Sequence, residues 1–524
     1  MCGILAIYLQ NKENNLDKIT NGYTILQNRG PDTGNIVLDQ NLILGFRRLA
    51  IMDMSELGNQ PFVTENGNKL ICNGEIFNHK DIINKYNLIC KSQSDCESIL
   101  HLFNVTDLYT VVQELNGDFA FILYSNQKIF FARDRIGVRP LFFGFTQDNN
   151  FAMASYARAL SEYCPDVKPV PPGWGIYDIA TNQLSFFEYQ YPTRQIIPWA
   201  DNMSYAKIKE TLEKSVIDRL MSDRPIGCLL SGGLDSSLIA SILSKHLGPK
   251  NVRTYSIGMK GSQDLHHAKI VADYLGTVHT EIVFEPTDGF KAIPDVIRDL
   301  ESYDITTVRA SVGMWLLCKY IRENTDDIVL YSGEGADELF CGYLYFHYAP
   351  TPQELGDESR RLIKNLHWYD VLRADRCVSS HGLELRVPFL DRNLVDLSLE
   401  LPGESLQPKS GIEKHILRSS FASGYLPDQV LWRRKDGLSD GVSGNNGKRW
   451  YEQIQEFVDQ EISDGEFQQY HSNFPSKEAY YYKKIFDSIF PNYKLSIDYW
   501  LPKWVEHNGD PSGRKLKVFA DNTV

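Results

Sequence analysis

The sequence predicts two domains of different class: an α+β domain of layered sheets with flanking helices, then an α/β domain built on a parallel sheet. Three observations carry this. The first 190 or so residues are dense in short strands rich in β-branched and aromatic residues. The remainder alternates short apolar strands with longer helical stretches, and a Pro- and Trp-containing segment, YQYPTRQIIPWADN, lies between the two patterns. A length of 524 residues is also long for a single core.

In the first part, CGILAIYL, LILGFRRLAIMD, KLICNGEIFN, DFAFILYS and KIFFARD read as strands. Only Asn126 and Gln127 separate the last two, which predicts a hairpin, and Asp95 to Phe103 reads as a helix. In the second part, Ser204 to Leu220 has helical spacing and PIGCLL is a buried strand. LDSSLIASILSKHLG is a helix closed by Gly248, and RTYSIGM and VHTEIVF are further strands. DLHHAKIVADYLG puts Ala268, Val271, Ala272 and Leu275 on one helical face and stops at Gly276. Strands alternating with helices imply right-handed crossovers and a parallel sheet. These boundaries give a first domain over 2–190, a second over 204–514, and a polar tail, 515–524, expected to be partly disordered.

Composition excludes several classes of function. Hydrophobic content of 43% and charged content of 23% are those of an ordinary globular protein. A net charge of -13 without a basic tract argues against a nucleic-acid binder. No apolar run reaches the length of a membrane span, and no basic-then-apolar leader opens the chain. The nine cysteines lack CxxC spacing and read as free thiols of a reducing compartment, so a cytoplasmic location is expected.

Two loops carry the pattern of a phosphate site. In GCLLSGGLDSS a strand, Ile226 to Leu230, runs into Ser231-Gly232-Gly233 and a helix follows. The glycines allow a tight turn whose N–H groups, with the helix N-terminus and the Ser231, Ser236 and Ser237 hydroxyls, can face one anion. Asp235 is a carboxylate where an anion is meant to sit, which makes sense if it holds Mg²⁺ against phosphates. There is no GxxxxGK[ST], so this is not a loop of the γ-phosphate-transferring kind. In LYSGEGADELFCGY a strand, Ile328 to Tyr331, ends in Ser332-Gly333-Glu334-Gly335 and then Asp337. Ligands of open parallel sheets bind at the carboxyl ends of the strands, so both loops should meet there, with Asp235 and Asp337 sharing a metal.

SGGLDSS resembles the pyrophosphate-releasing loop of adenylating enzymes. With SGEGADELF, DITTVRAS, LELRVPFLD, GIEKHILR and WRRKDGLSDGV, the chain resembles the glutamine-hydrolysing asparagine synthetases from Cys2 to about Arg514. The resemblance implies a first domain of the N-terminal-nucleophile type, a glutamine amidotransferase, and a second of the pyrophosphatase-loop type. Cys2, in MCGIL, would be the first residue after methionine removal, attacking the glutamine amide with its own α-amino group as base. Asn73 and Gly74, in CNGEIFN, match the oxyanion hole. Arg48 should clamp the glutamine α-carboxylate and Asp95 its ammonium, while Glu75 and the backbone across Leu49, Ala50, Ile51 and Met52 complete the pocket. Cys72 and Cys96 read as core thiols.

For the second domain the resemblance implies ATP as co-substrate, Mg²⁺ on Asp235 and Asp337, and aspartate as acceptor. Leu229 and Ile257 carry over as adenosine contacts, Ser231, Gly232, Gly233, Asp235 and Ser236 as the pyrophosphate loop, and Ser332 and Gly333 as nucleotide neighbours. Lys435 would stabilise charge on the phosphates, and Glu334 would assist adenylation and accept a proton from attacking ammonia. Thr306 and Arg309, in YDITTVRAS, match the aspartate-binding segment; the alternative is that Arg309 pairs with Glu301 or Asp304 and props the loop. Glutamine, aspartate and ATP are thus the partners, with no nucleic acid or membrane, and a homodimer is left open.

The chain departs from the family pattern at Cys341, which replaces a glycine in LFGGY, and at Tyr156 and Arg158 in ASYARAL, at a domain-junction contact. Two rival readings are a cyclising amide synthetase and a non-catalytic nucleotide-binding regulator. The first would often lack the terminal cysteine, and the second would be expected to lose Asp235, Asp337 or Lys435; all four residues stand.

Overall fold

The computed structural model describes residues 1–10, 16–194, 201–435, 441–444 and 447–505. Part of the expected linker, the tail 515–524 and the DGLSD of WRRKDGLSDGV lie outside the described residues.

Two six-stranded antiparallel sheets build the first half. One has the order β10 (Asp166–Pro169), β8 (Phe142–Phe145), β9 (Phe151–Ala154), β1 (Gly3–Tyr8), β3 (Leu42–Arg48), β2 (Thr33–Asp39). The other runs β12 (Gln183–Phe187), β11 (Gly173–Asp178), β7 (Lys128–Arg133), β6 (Gly117–Ser125), β5 (Lys69–Ile76), β4 (Phe62–Val63). Strand alternation sends Ile4, Ala6, Leu44 and Phe46 from one sheet and Ile71, Ala120, Ile122 and Phe131 from the other into a shared core. The opposite face of the second sheet packs Cys72, Phe119 and Phe121 against the helices Glu97–Val105 and Leu108–Glu114. Layered sheets with flanking helices are the predicted class. The predicted hairpin joins β6 and β7, and Asn126 and Gln127 both take positive φ (48° and 57°), as a tight primed turn requires.

The second half carries a five-stranded sheet, parallel throughout, in the order β15 (Val278–Val283), β14 (Arg253–Gly258), β13 (Ile226–Leu229), β16 (Val329–Tyr331), β17 (Glu384–Arg386). From central β13 the chain goes to β14 on one side and later to β16 on the other. The loops after β13 and β16 therefore flank the crevice where the strand order reverses. Helix Leu234–Leu247 ends at Gly248 (φ 83°) and helix Gln263–Leu275 at Gly276 (φ 77°), both as read from sequence.

The halves join through buried charge. Arg29 grips Asp375 with both arms, at 2.8 and 3.2 Å, while Arg139 lies 3.3 Å from the same carboxylate and donates to the Leu385 carbonyl at 2.9 Å. Tyr156 and Arg158 stand at this junction, with the Tyr156 hydroxyl 3.2 Å from Ser379 Oγ and the Arg158 backbone N–H on Glu301 at 2.8 Å.

Candidate active site

Cys2 precedes β1, whose antiparallel pairing sets Gly3 opposite Arg47 and brings the chain after β3 alongside the thiol. Cys2 Sγ lies 3.7 Å from the Leu49 carbonyl, and burial pushes the thiol up to about 11, the Met1 ammonium and the Leu49 contact opposing it. Asn73, on β5 of the facing sheet, is fully buried. Its Oδ1 accepts from the Cys2 backbone nitrogen at 2.9 Å, while its Nδ2 is buried with no partner. A buried donor left unmade is costly, and an unspent one beside a nucleophile is the form an oxyanion hole takes before substrate arrives. Gly74 follows on the same strand.

The remaining expected pocket residues make contacts of their own. Arg48 ends β3, but its fork donates to the Ser55 carbonyl at 2.7 Å, to Asn59 Oδ1 at 3.1 Å, to the Met52 carbonyl at 3.2 Å and to the Asp53 carbonyl. It braces the loop through Leu49, Ala50, Ile51 and Met52. Ala50 N donates to Asp32 at 2.9 Å, and the Ile51 carbonyl accepts from Asp223 N of the second half at 2.8 Å. Asp95 accepts from Ile76 N at 2.6 Å and Glu75 lies 3.5 Å from Arg386 on β17. Burial raises both carboxyls, and Asp95 raises Glu75 further. Cys72 and Cys96 are buried core thiols, as read from sequence.

In the second half the loops after β13 and β16 meet. A Cβ on Gly333 would stand 2.7 Å from Ser236 N and 2.9 Å from the Asp235 carbonyl carbon, so only glycine lets them approach this closely. They border a cavity of about 300 Å³. Every expected ATP-site residue lines it except Gly232: Leu229, Ser231, Gly233, Asp235, Ser236, Ile257, Ser332 and Gly333. Glu334, Asp337, Lys435, Thr306 and Arg309 line it too.

The segment expected to bind aspartate does start a helix, Ile305–Asn324, capped by Asp304, whose carboxylate accepts from Thr307 N at 2.8 Å. Thr306 Oγ1 is buried with no partner. Arg309 pairs with neither alternative drawn from sequence. Its Nε donates to Glu478 at 2.7 Å and a second arm reaches the other oxygen of that carboxylate, whereas Glu301 is engaged by Ala157, Arg158 and Arg376.

Asp235 and Asp337 converge, but what lies between them is an ammonium. Lys414 Nζ is 2.5 Å from Asp235 Oδ2 and 2.7 Å from Asp337 Oδ1, and Lys435 holds Asp337 Oδ2. Burial alone would raise Asp337; the two lysines outweigh it and hold the carboxyl down to about 2. Asp235 Oδ1 remains buried without a partner, so the pair keeps hard oxygen donors for Mg²⁺. Glu334 accepts from Arg373 at 2.8 Å, and burial raises its carboxyl although Arg373 opposes that.

Sequence reasoning missed Lys414, although GIEKHILR was among the telling segments. It also missed the Asp370, Tyr343 and Glu338 chain beside Glu334, in which the Tyr343 hydroxyl donates to Asp370 at 2.9 Å. Cys341, the expected departure from the glycine of LFGGY, takes φ 52°, a left-handed backbone with a side chain on it.

The fold, the buried Cys2 thiol beside Asn73 and the glycine-walled cavity fit one class: a chain that pairs an amidotransferase domain with a synthetase domain. Comparison with known proteins agrees. A glutamine amidotransferase domain model matches residues 1–183, and an asparagine synthase model matches 207–359 and 350–507. The chain is 40% identical to the asparagine synthetase [glutamine-hydrolyzing] of Gallus gallus over 560 residues, covering 99% of each chain. The Homo sapiens protein of the same name is 40% identical over 557 residues, covering 98% of each. The chain belongs to the glutamine-hydrolysing asparagine synthetase family. Among the described residues no helix is long and apolar enough to cross a membrane.

Proposed function

We infer that the chain makes asparagine from aspartate, with glutamine as nitrogen donor and ATP as co-substrate. What supports this most is the presence of both sites on one chain that matches named asparagine synthetases from end to end.

In the first half, taken as 2–190, removal of Met1 turns the Cys2 nitrogen held by Asn73 into an α-amine. An amine with an ordinary pKa near ~8 is partly neutral at physiological pH and can take the thiol proton. The thiol needs such a base, because burial keeps it protonated. Sulfur attacks the glutamine amide; Asn73 Nδ2 and the Gly74 N–H receive the oxyanion; ammonia leaves; and water cleaves the thioester to glutamate. Arg48 directs positive charge to the glutamine α-carboxylate, Asp95 negative charge to its ammonium, and Glu75 with the 49–52 backbone closes the pocket.

In the second half, taken as 204–514, Leu229 and Ile257 flank the adenosine and Ser231 to Ser236 the phosphates, with Ser332 and Gly333 across the cleft. Asp235 and Asp337 would hold Mg²⁺, which when bound neutralises charge between α- and β-phosphates. Lys435 stabilises charge on the phosphates. The aspartate side-chain carboxylate displaces pyrophosphate to give β-aspartyl-AMP, and ammonia then displaces AMP. Glu334, its proton affinity raised by burial, accepts the proton the nitrogen sheds. Thr306, with its unspent hydroxyl, faces the aspartate, and Arg309 lends charge from behind.

The decisive experiment supplies glutamine labelled at the amide nitrogen, aspartate and ATP with magnesium. Labelled asparagine, glutamate, AMP and pyrophosphate are expected; ADP and phosphate in their place would refute adenylation. Cys2→Ala should end glutamine-dependent synthesis and spare synthesis from ammonium salts, and loss of both would refute separate sites. A cytoplasmic enzyme is proposed, and light scattering decides whether it is a homodimer.

A further inference from the structure

Lys414, in GIEKHILR, has no part in the roles above, yet it sits at the centre of the nucleotide cleft. Three observations show that its position is built. Its ammonium lies 2.5 Å from Asp235 Oδ2 and 2.7 Å from Asp337 Oδ1, with the side chain only 3% exposed. Its backbone is left-handed (φ 54°, ψ 31°) at the start of helix His415–Ser420, uncommon for a residue with a Cβ. And the slot for its stem exists only because residue 342 is glycine: a Cβ there would lie 2.0 Å from Lys414 Cε and 2.1 Å from Asp337 Oδ1.

We propose that the Lys414 ammonium holds the place of the divalent cation in the nucleotide-free enzyme, so that metal and nucleotide enter together. This rests on the reading that Asp235 and Asp337 are the metal ligands. Magnesium bonds carboxylate oxygen at about 2.0–2.1 Å. An ion so bound to the two facing oxygens, Asp235 Oδ2 and Asp337 Oδ1, would overlap the ammonium that stands 2.5 and 2.7 Å from them. One must yield.

Charge decides when. Two carboxylates face two ammoniums, Lys414 and Lys435, so the four charges of this cluster cancel. A bare divalent ion would make it strongly positive and strand Lys414 in a buried place without an anion, which is unfavourable. The phosphates of ATP supply that anion. Lys414 passes from carboxylates to phosphate as the metal takes the carboxylates, and no covalent bond is made or broken. Binding of the metal alone is thereby suppressed, and binding of the metal with nucleotide is favoured.

The test measures bound Mn²⁺ on the full chain by electron paramagnetic resonance, with the metal alone and with metal plus ATP, aspartate being omitted so that ATP stays intact. The wild type should bind Mn²⁺ in an Asp337-dependent way only when ATP is present. Lys414→Met should bind Mn²⁺ without ATP at least tenfold more tightly than the wild type, and adding Asp337→Asn should abolish this. Wild-type protein that binds Mn²⁺ equally well without ATP, through Asp337, overturns the placeholder and leaves the metal ligands standing. So does a folded Lys414→Met protein that takes up metal alone no better than the wild type. If ATP brings no Asp337-dependent Mn²⁺ to the wild type, the metal assignment itself falls, and the inference with it. Should Lys414→Met fail to fold by circular dichroism, the two wild-type measurements still decide.

Discussion

Asn73→Ala separates the chemistry of the first site from its architecture. The wild-type Nδ2 is buried without a partner, so its removal breaks no contact of the resting enzyme, whereas the lost Oδ1 strips the Cys2 nitrogen of its acceptor at 2.9 Å. Loss of one oxyanion donor costs about 3–4 kcal/mol in the transition state, a fall of roughly 10² to 10³ in kcat. The stranded nitrogen adds a separate penalty of about 1–3 kcal/mol, which is felt by the folded state and appears as a lower Tm. The assay is glutamate release from glutamine, with asparagine formation from ammonium salts as the internal control. A drop of at least a hundredfold in glutaminase kcat, with ammonium-dependent synthesis within twofold of wild type, is expected. A glutaminase loss below tenfold would mean that Asn73 only positions the chain terminus, and the oxyanion assignment would be wrong.

Arg309→Lys keeps the charge but loses the two-armed grip on Glu478. The aspartate KM should rise or turnover fall tenfold or more while glutaminase stays near normal; unchanged aspartate kinetics would remove Arg309 from the acceptor site. Asp375→Ala strands Arg29 and Arg139 at a buried junction, and breaking such a pair costs about 3–5 kcal/mol. Differential scanning calorimetry should show a clearly lower Tm, and an unchanged trace would refute the role of this cluster in joining the halves. The pH dependence of Cys2 follows from its burial. In protein still carrying Met1 the thiol is held up at about 11, so at pH 8 only on the order of one molecule in a thousand is thiolate. Alkylation of Cys2 by iodoacetamide should therefore be slow at neutral pH and rise towards pH 11. Met1-free protein should react faster at pH 8, and equal rates would refute the α-amine as base.

What was legible in the sequence was local. Asn126 and Gln127, Gly248 and Gly276 act through their own backbone angles, and the glycine-rich loops follow strands whose ends the sheet order brings together. What was not legible depends on partners far along the chain. Glu301 and Asp304 are the acidic neighbours of Arg309 in sequence, yet it meets Glu478, 169 residues away. Asp304 is occupied in capping its own helix and Glu301 in holding the junction. Lys414 reaches Asp235 across 179 residues; nothing in GIEKHILR itself says which carboxylate its lysine will find. Arg48 was expected to meet substrate, but the loop that follows it turns back and offers carbonyls first.

One helix links the two sites. Asp370–Ser379 carries Arg373, whose guanidinium holds Glu334 in the nucleotide cleft at 2.8 Å. Two positions on, its Asp375 holds Arg29, and the Nε of that arginine donates to the Cys2 carbonyl at 2.9 Å. Residues two apart on a helix point away from each other, so this one helix reaches the Cys2 backbone through Asp375 and Arg29 and the cleft through Arg373. Arg373 through Ser379 are all buried. The same buried side chains therefore tie the geometry at the thiol to that of the cleft in which Glu334 stands, so a change at either end is felt at the other through this helix.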